Sequence, residues 1–368
     1  MTPSPRATHA LARLLPSWLP ALLLAANLTQ PAPVLAQAAP ATAPAAPTTA
    51  PTLQAGLRML TVPASASGAP AIPVAVFYPT QAPARSMAMG PFNVQVAMQA
   101  PAEATVKGLI LLSHGTGGSE LGHASLAQAL ARAGYLVVAP RHPGDDWQDR
   151  SLLQQSPERY FDERPRQASR VIDALLADPD WAGRITRDAK GPRVGALGHS
   201  AGGYTVLALA GGVPERDRIA AHCAAHRSED AIFCATGGST ASSATAPAAP
   251  ATTLRDPRVR AVVAMAPVGV VFSAASLAAI QVPTVVYSAA LDRWLQPRFQ
   301  ADWITRNLPA ASHRVVPNAW HFAFMDTPSM AIPSDDGDVG ANPPGFDRAA
   351  FLRQLAQELP VFFDKAWD

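Results

Sequence analysis

Beyond residue 105 the chain alternates short apolar runs with segments whose apolar positions recur every three or four residues. The runs predict strands over 106–113, 135–139, 193–197, 259–264, 284–289 and 313–316. The three-to-four spacing predicts helices over 121–133, 163–177, 201–210, 298–307 and 346–364. Strands that are apolar on both faces and separated by helices imply an α/β fold with a mostly parallel central sheet covered on both sides. Ahead of them, 56–62, 72–78 and 92–98 suit antiparallel strands at one edge of the sheet. The rhythm breaks over 212–256, which reads as an insertion, and within it the Ser/Thr/Ala/Pro tract 239–253 reads as flexible.

The N-terminus follows different rules. Arg6, His9 and Arg13 precede a short apolar stretch that includes Leu22, Leu23 and Leu24, and Ala36 and Ala38 follow in an A-x-A pattern. This three-part layout is that of a secretory signal peptide over 1–38, predicting a periplasmic or secreted protein. Pro16, Pro20 and the shortness of the apolar core argue against a membrane anchor, so no membrane span is expected once the signal is removed. Residues 39–55, nearly all Ala, Pro and Thr, read as a linker, and the catalytic domain is expected over 56–368.

Composition narrows the reading further. Of 368 residues 48% are hydrophobic and 15% charged, which excludes a wholly disordered chain. Removing 1–38 takes away Arg6 and Arg13 and no acid, leaving 27 basic against 27 acidic residues. A balanced surface without a basic run argues against a nucleic-acid partner. The sequence sets no oligomeric state. Cys223 and Cys234 are the only two cysteines, and in an exported chain such a pair points to a disulfide. Two buried thiols, or a zinc site with His222 or His226, are the alternatives, although the spacing fits no standard zinc pattern.

Gly198-His199-Ser200-Ala201-Gly202-Gly203 lies between a predicted strand and a predicted helix, the context of a nucleophile elbow. A serine hydroxyl needs a base to take its proton and an acid to orient that base. His321 falls just past the last predicted strand, and Asp292 just past the strand 284–289, so both belong at the carboxyl edge of the sheet with Ser200. The order Ser200, Asp292, His321 is the one an α/β-hydrolase uses. Asp302 and Asp326 are rival acids, and His199 is expected to pack beneath the turn. Gly115 to Gly118 follow a strand and let backbone approach a substrate, so the N–H groups of Thr116 and Ala201 are the expected oxyanion donors. Trp294 and Trp320 flank the acid and base as candidates to line an acyl or aryl pocket or to pack in the core. Arg141, Asp145 and Asp146 are candidates for substrate contacts or structural ion pairs.

His114-Gly115-Thr116-Gly117-Gly118, Gly134-Tyr135-Leu136-Val137-Val138-Ala139-Pro140 and His142-Pro143-Gly144-Asp145, with the elbow and His321-Phe322, resemble the α/β-hydrolase superfamily. Within it the chain is similar to the exported dienelactone-hydrolase-like group and to platelet-activating-factor acetylhydrolases, over residues 56–368, and the cysteine pair resembles that group too. True dienelactone hydrolases carry a cysteine where this chain has Ser200. The resemblance therefore implies a serine esterase acting on a small-molecule or lipid-like ester, with no metal or organic cofactor. A peptidase or amidase, a polyester or lipid hydrolase, and an inactive binding protein on the same fold are the alternatives.

Overall fold

The computed structural model describes residues 52–155, 157–236 and 253–368. The expected signal peptide, most of the linker and most of the tract 239–253 lie outside the described residues.

In chain order the first strands are β1 (Gln54–Val62), β2 (Ile72–Thr80), β3 (Arg85–Met89), β4 (Phe92–Met98) and β5 (Leu109–Ser113). Then come α1 (Ala124–Arg132), β6 (Leu136–Pro140) and α2 (Pro157–Ala177). A two-residue ladder of β7 (Arg187–Asp188) and β8 (Gly191–Pro192) precedes β9 (Val194–His199) and α3 (Ala201–Leu209). The insertion holds α4 (Asp217–His226) and α5 (Ala231–Thr236), and is followed by β10 (Val259–Met265), α6 (Ala274–Ala278) and β11 (Thr284–Ala289). The chain closes with α7 (Ala301–Asn307), β12 (Ala311–Val316), the hairpin β13 (Pro333–Ser334) and β14 (Gly337–Asp338), and α8 (Arg348–Trp367).

Ten strands form one sheet in the order β12-β11-β10-β9-β5-β6-β2-β1-β4-β3. The six from β12 to β6 are all parallel. β2 runs antiparallel to both β6 and β1, and β4 antiparallel to β3, as expected of the edge, but β1 and β4 pair parallel. Every residue of β5, β6 and β9 is buried, because helices cover both faces. Strand alternation divides the apolar residues between two cores. Leu109, Leu111, Leu136 and Val138 face the layer holding Val171, Tyr204 and Phe272, while Ile110, Leu112, Val137 and Ala139 face the layer holding Leu130, Leu355 and Phe363.

Several boundaries differ from expectation. Val106 makes only an isolated bridge to Ile185, so β5 begins at Leu109. Residues 121–123 are turn rather than helix, and α2 starts at Pro157, a residue whose missing N–H suits a first helical turn. The edge strand β3 and the helices α4 and α5 had no sequence counterpart. Cys223 on α4 and Cys234 on α5 are joined by a disulfide, so neither offers a thiolate to zinc. Among the described residues, no group of three or more His, Cys, Asp or Glu could hold a metal, and no helix is long and apolar enough to cross a membrane.

Candidate active site

The chain leaves β5 on one side of the sheet through α1 to β6, then crosses through α2 to β9 on the other side of β5. Strand order reverses at that point, and the carboxyl ends of β5 and β9 open a crevice there. Ser200 stands at the end of β9 with φ 59° and ψ −119°, a left-handed conformation that side chains rarely adopt. Its own backbone holds it: the Ser200 N–H donates to the Met265 carbonyl at 2.9 Å, and the Ser200 carbonyl accepts from the Tyr204 N–H at 3.1 Å. The flanking glycines are demanded by space. A Cβ on Gly198 would lie 2.1 Å from the Gly202 carbonyl oxygen, and one on Gly202 would lie 2.0 Å from the Ser113 carbonyl oxygen.

Asp292 and His321 come from neighbouring loops after β11 and β12. Those loops are tied together by Ala290 N–H to the Val316 carbonyl at 3.1 Å and Leu291 N–H to the Ala319 carbonyl at 2.8 Å. His321 Nε2 lies 3.0 Å from Ser200 Oγ, and His321 Nδ1 lies 2.8 Å from Asp292 Oδ2. The other carboxylate oxygen, Oδ1, accepts from the N–H groups of Trp294 at 2.9 Å and Leu295 at 2.8 Å, which fixes its orientation. All three side chains are buried. The rival acids are engaged elsewhere: Asp302 lies 3.7 Å from His313, and Asp326 accepts from the Ser125 N–H at 2.8 Å and from the Ser125 hydroxyl.

His199 packs beneath the turn. Its Nε2 sits 2.8 Å from the His321 carbonyl, and burial pushes its pKa well below the usual range. The neutral ring therefore donates Nε2–H to that carbonyl and steadies the backbone of His321.

The loop after β5 passes directly over the serine, since a Cβ on Gly115 would lie 3.1 Å from that of Ser200. Among the described residues, neither the Thr116 N–H nor the Ala201 N–H has a protein acceptor. The loop is held from behind by a buried polar network. Gly117 N–H donates to Asp145 Oδ1 at 2.9 Å, and the other oxygen of Asp145 pairs with the Arg164 guanidinium, both side chains being fully buried. Arg164 also donates to the His114 carbonyl, to Ser113 Oγ at 3.2 Å and to Thr205 Oγ1 at 3.2 Å. The Thr116 hydroxyl meets Tyr160 OH at 2.6 Å. Asp145 is thus a structural ion pair rather than a substrate contact. Arg141 bonds Gln148 at 2.9 Å, and Asp146 caps the Gln148 and Asp149 N–H groups. Arg164 had no place in the sequence reading. Its signal was position: it shares the helical spacing of the buried Phe161, Ala168, Val171 and Leu175, where an arginine needs a partner.

The two tryptophans differ. Trp294 is half-buried and stacks on the His321 ring at 6.1 Å between centroids, inclined by 26°. Trp320 is buried and meets Phe322 edge-on at 5.1 Å.

No protein-family model and no curated protein matches the chain. Among solved structures, the chain is similar to a ferulic acid esterase from Streptomyces cinnamoneus, with a TM-score of 0.54, 20% identity and coverage of 87% of this chain and 92% of that one. A predicted CIB-like hydrolase from Thermoplasma acidophilum aligns at a TM-score of 0.42 and 12% identity, over 83% of this chain and 98% of that one. The first likeness, with the sheet order above, gives the fold: it is that of an α/β-hydrolase.

Proposed function

We propose that this chain is an exported serine hydrolase that cleaves carboxylic esters through an acyl-serine intermediate, as a dienelactone-hydrolase-like or platelet-activating-factor-acetylhydrolase-like esterase. The observation that carries the reading is the chain of contacts from Ser200 Oγ to His321 Nε2 at 3.0 Å and from His321 Nδ1 to Asp292 Oδ2 at 2.8 Å. Asp292 accepts from Nδ1–H, which leaves the Nε2 lone pair facing the serine hydroxyl. His321 takes the hydroxyl proton as Oγ attacks the ester carbonyl. The N–H groups of Thr116 and Ala201 receive the oxyanion, and Asp292 stabilises the imidazolium. His321 then returns the proton to the leaving alcohol, and water repeats the cycle to release the acid. Each step is proton transfer and acyl transfer, so the cycle needs no metal or organic cofactor.

Export fits the Cys223–Cys234 disulfide, a bond that persists in oxidising compartments, and the signal-like layout of 1–38 with the linker 39–55. The test is hydrolysis of p-nitrophenyl esters from acetate to palmitate, with Ser200→Ala alongside. Turnover that peaks at short acyl groups and falls by several decades in Ser200→Ala is the expected result. A peak at long chains points to a lipid hydrolase. Turnover of matched amides but not esters, or near-wild-type activity in Ser200→Ala, overturns the reading.

A further inference from the structure

The loop that carries Asp292 runs from the end of β11 at Ala289 to the start of α7 at Ala301, and the insertion meets it on the way. Glu229 stands in the turn between α4 and α5. Its carbonyl accepts from the Gln296 side-chain amide, and its carboxylate pairs with Arg298 Nη2 at 2.6 Å. The other carboxylate oxygen lies 3.0 Å from His226 Nδ1. The Phe299 ring packs against two histidines one turn apart on α4, His222 at 4.7 Å and His226 at 4.8 Å between centroids.

This loop is what orients the acid. The two N–H groups that fix Asp292 Oδ1, those of Trp294 and Leu295, lie within it. The angle at which Oδ2 meets His321 Nδ1 therefore follows the backbone of residues 292–295. Near its start Arg293 pairs with Asp336 at 2.7 Å. At its far end Gln300 Oε1 accepts from the N–H groups of Gly269 at 2.8 Å and Val270 at 3.0 Å. Between these anchors the side chains of Gln296, Arg298 and Phe299 meet the insertion.

The insertion is built to be stiff at that contact. α4 has 10 residues and α5 has 6, lengths at which an isolated helix is not stable in water. The Cys223–Cys234 disulfide joins them, and His222 Nε2 lies 2.8 Å from Oδ2 of Asp230, whose side chain is fully buried. In the chain these two ties bracket Glu229. Burial pushes the Asp230 carboxyl up, His222 opposes the shift, and the Asp292 charge adds to it, which sets this pair within electrostatic reach of the acid.

Resting on the serine-esterase reading, we propose that the stapled pair α4–α5 positions Asp292, and that Glu229 is a positioning residue acting through the loop 293–300. A carboxylate turned away from Nδ1 leaves substrate binding intact, but it stabilises the imidazolium less as that charge forms in the transition state. The loss then falls on kcat and leaves KM unchanged.

The experiment measures kcat, KM and the urea midpoint with the p-nitrophenyl ester that the wild-type chain turns over fastest. Glu229→Ala and Arg298→Ala should each lower kcat by about threefold to fivefold, because the pair is half-exposed and the Glu229 carbonyl still holds Gln296. The two changes together should lower it no further than either alone, since they break one tie. Glu229→Gln keeps an acceptor for Arg298 and should return kcat to within about twofold of wild type. Cys223→Ala with Cys234→Ala frees the whole turn and should lower kcat by about tenfold or more. If that variant does not fold, the surface variants at Glu229 and Arg298 decide the matter. Wild-type kcat in Glu229→Ala and Arg298→Ala, or in a folded cysteine variant, overturns the proposal whatever happens to the urea midpoint. So does a loss that falls on KM, or one that Glu229→Gln does not reverse. Failure of the esterase reading looks different: the wild-type chain itself turns over no ester in a Ser200-dependent way, and the proposal falls with it.

Discussion

Replacing Asp145 with Ala tests whether the buried pair with Arg164 supports the loop after β5, to which the proposed mechanism assigns an oxyanion donor. Both side chains are fully buried, so the pair belongs to a different regime from a surface ion pair, which is worth about 0–1 kcal/mol. Removing one partner strands a charge in a poorly polarisable interior, at a cost of about 3–5 kcal/mol. Arg164 keeps its bonds to the His114 carbonyl, Ser113 Oγ and Thr205 Oγ1, which places the loss at the lower end of that range. The Gly117 N–H loses its acceptor as well, adding about 1 kcal/mol. The expected total is about 4 kcal/mol, a large part of the roughly 5–15 kcal/mol that holds a domain folded. Urea unfolding measures it as a lower midpoint with an unchanged slope. A double variant, Asp145→Leu with Arg164→Met, replaces the pair by apolar groups of similar size and should recover most of the stability. Its ester turnover should stay low, because the Gly117 N–H and the His114 carbonyl on either side of Thr116 are no longer held. A loss below about 1 kcal/mol in Asp145→Ala, as for a surface pair, refutes the reasoning. So does a double variant that regains turnover along with stability.

Burial also makes stability depend on pH. His114, His142 and His199 are held well below the ordinary histidine range and His123 at about 4, in each case chiefly by desolvation of the charged ring. The folded state excludes these protons and the unfolded state takes them up, so stability is full above an unfolded pKa of about 6.5 and falls as pH drops below it. His123 alone accounts for about 3 kcal/mol between pH 6.5 and its folded value. Asp326, raised to about 6 by burial, acts in the opposite sense and offsets part of this loss. Thermal melts should give a level Tm above pH 7 and a steep fall below 6.5; a level Tm down to pH 4.5 contradicts the assignment. Reduction of Cys223–Cys234, which are 11 positions apart, should cost about 2–3 kcal/mol by the loop-entropy relation, read as a lower melting temperature with dithiothreitol. An unchanged melt would show that the bridge contributes nothing to the folded state.

The parallel core of the sheet was legible because its strands are continuous apolar runs, which only a sheet covered on both faces requires. The edge was less so. All of β3 but its last residue is exposed, so it carries no buried stripe for a pattern to reveal. Helices α4 and α5 lie in a polar stretch where periodicity is weak, and the bridge between them, not an apolar face, was the readable feature. At the site, the meeting of Ser200, Asp292 and His321 at one edge of the sheet was legible because an elbow motif and strand ends place each of them locally. The partnership of Asp145 with Arg164 could not, because it forms between a loop after β6 and the middle of α2, and only the fold brings them together. The β13–β14 hairpin is two residues on each side of its turn, too short for alternation, although Asp336-Gly337 is a turn signal.

The central claim is that Ser200 is a nucleophile activated by His321. An alkyl fluorophosphonate reacts with serines so activated, and mass spectrometry of the digested chain locates the adduct. The account predicts a single adduct on Ser200, absent in Ser200→Ala and slowed by about a hundredfold or more in His321→Ala, where no base takes the proton. A folded chain whose Ser200 stays unmodified, or one labelled equally fast without His321, would contradict it.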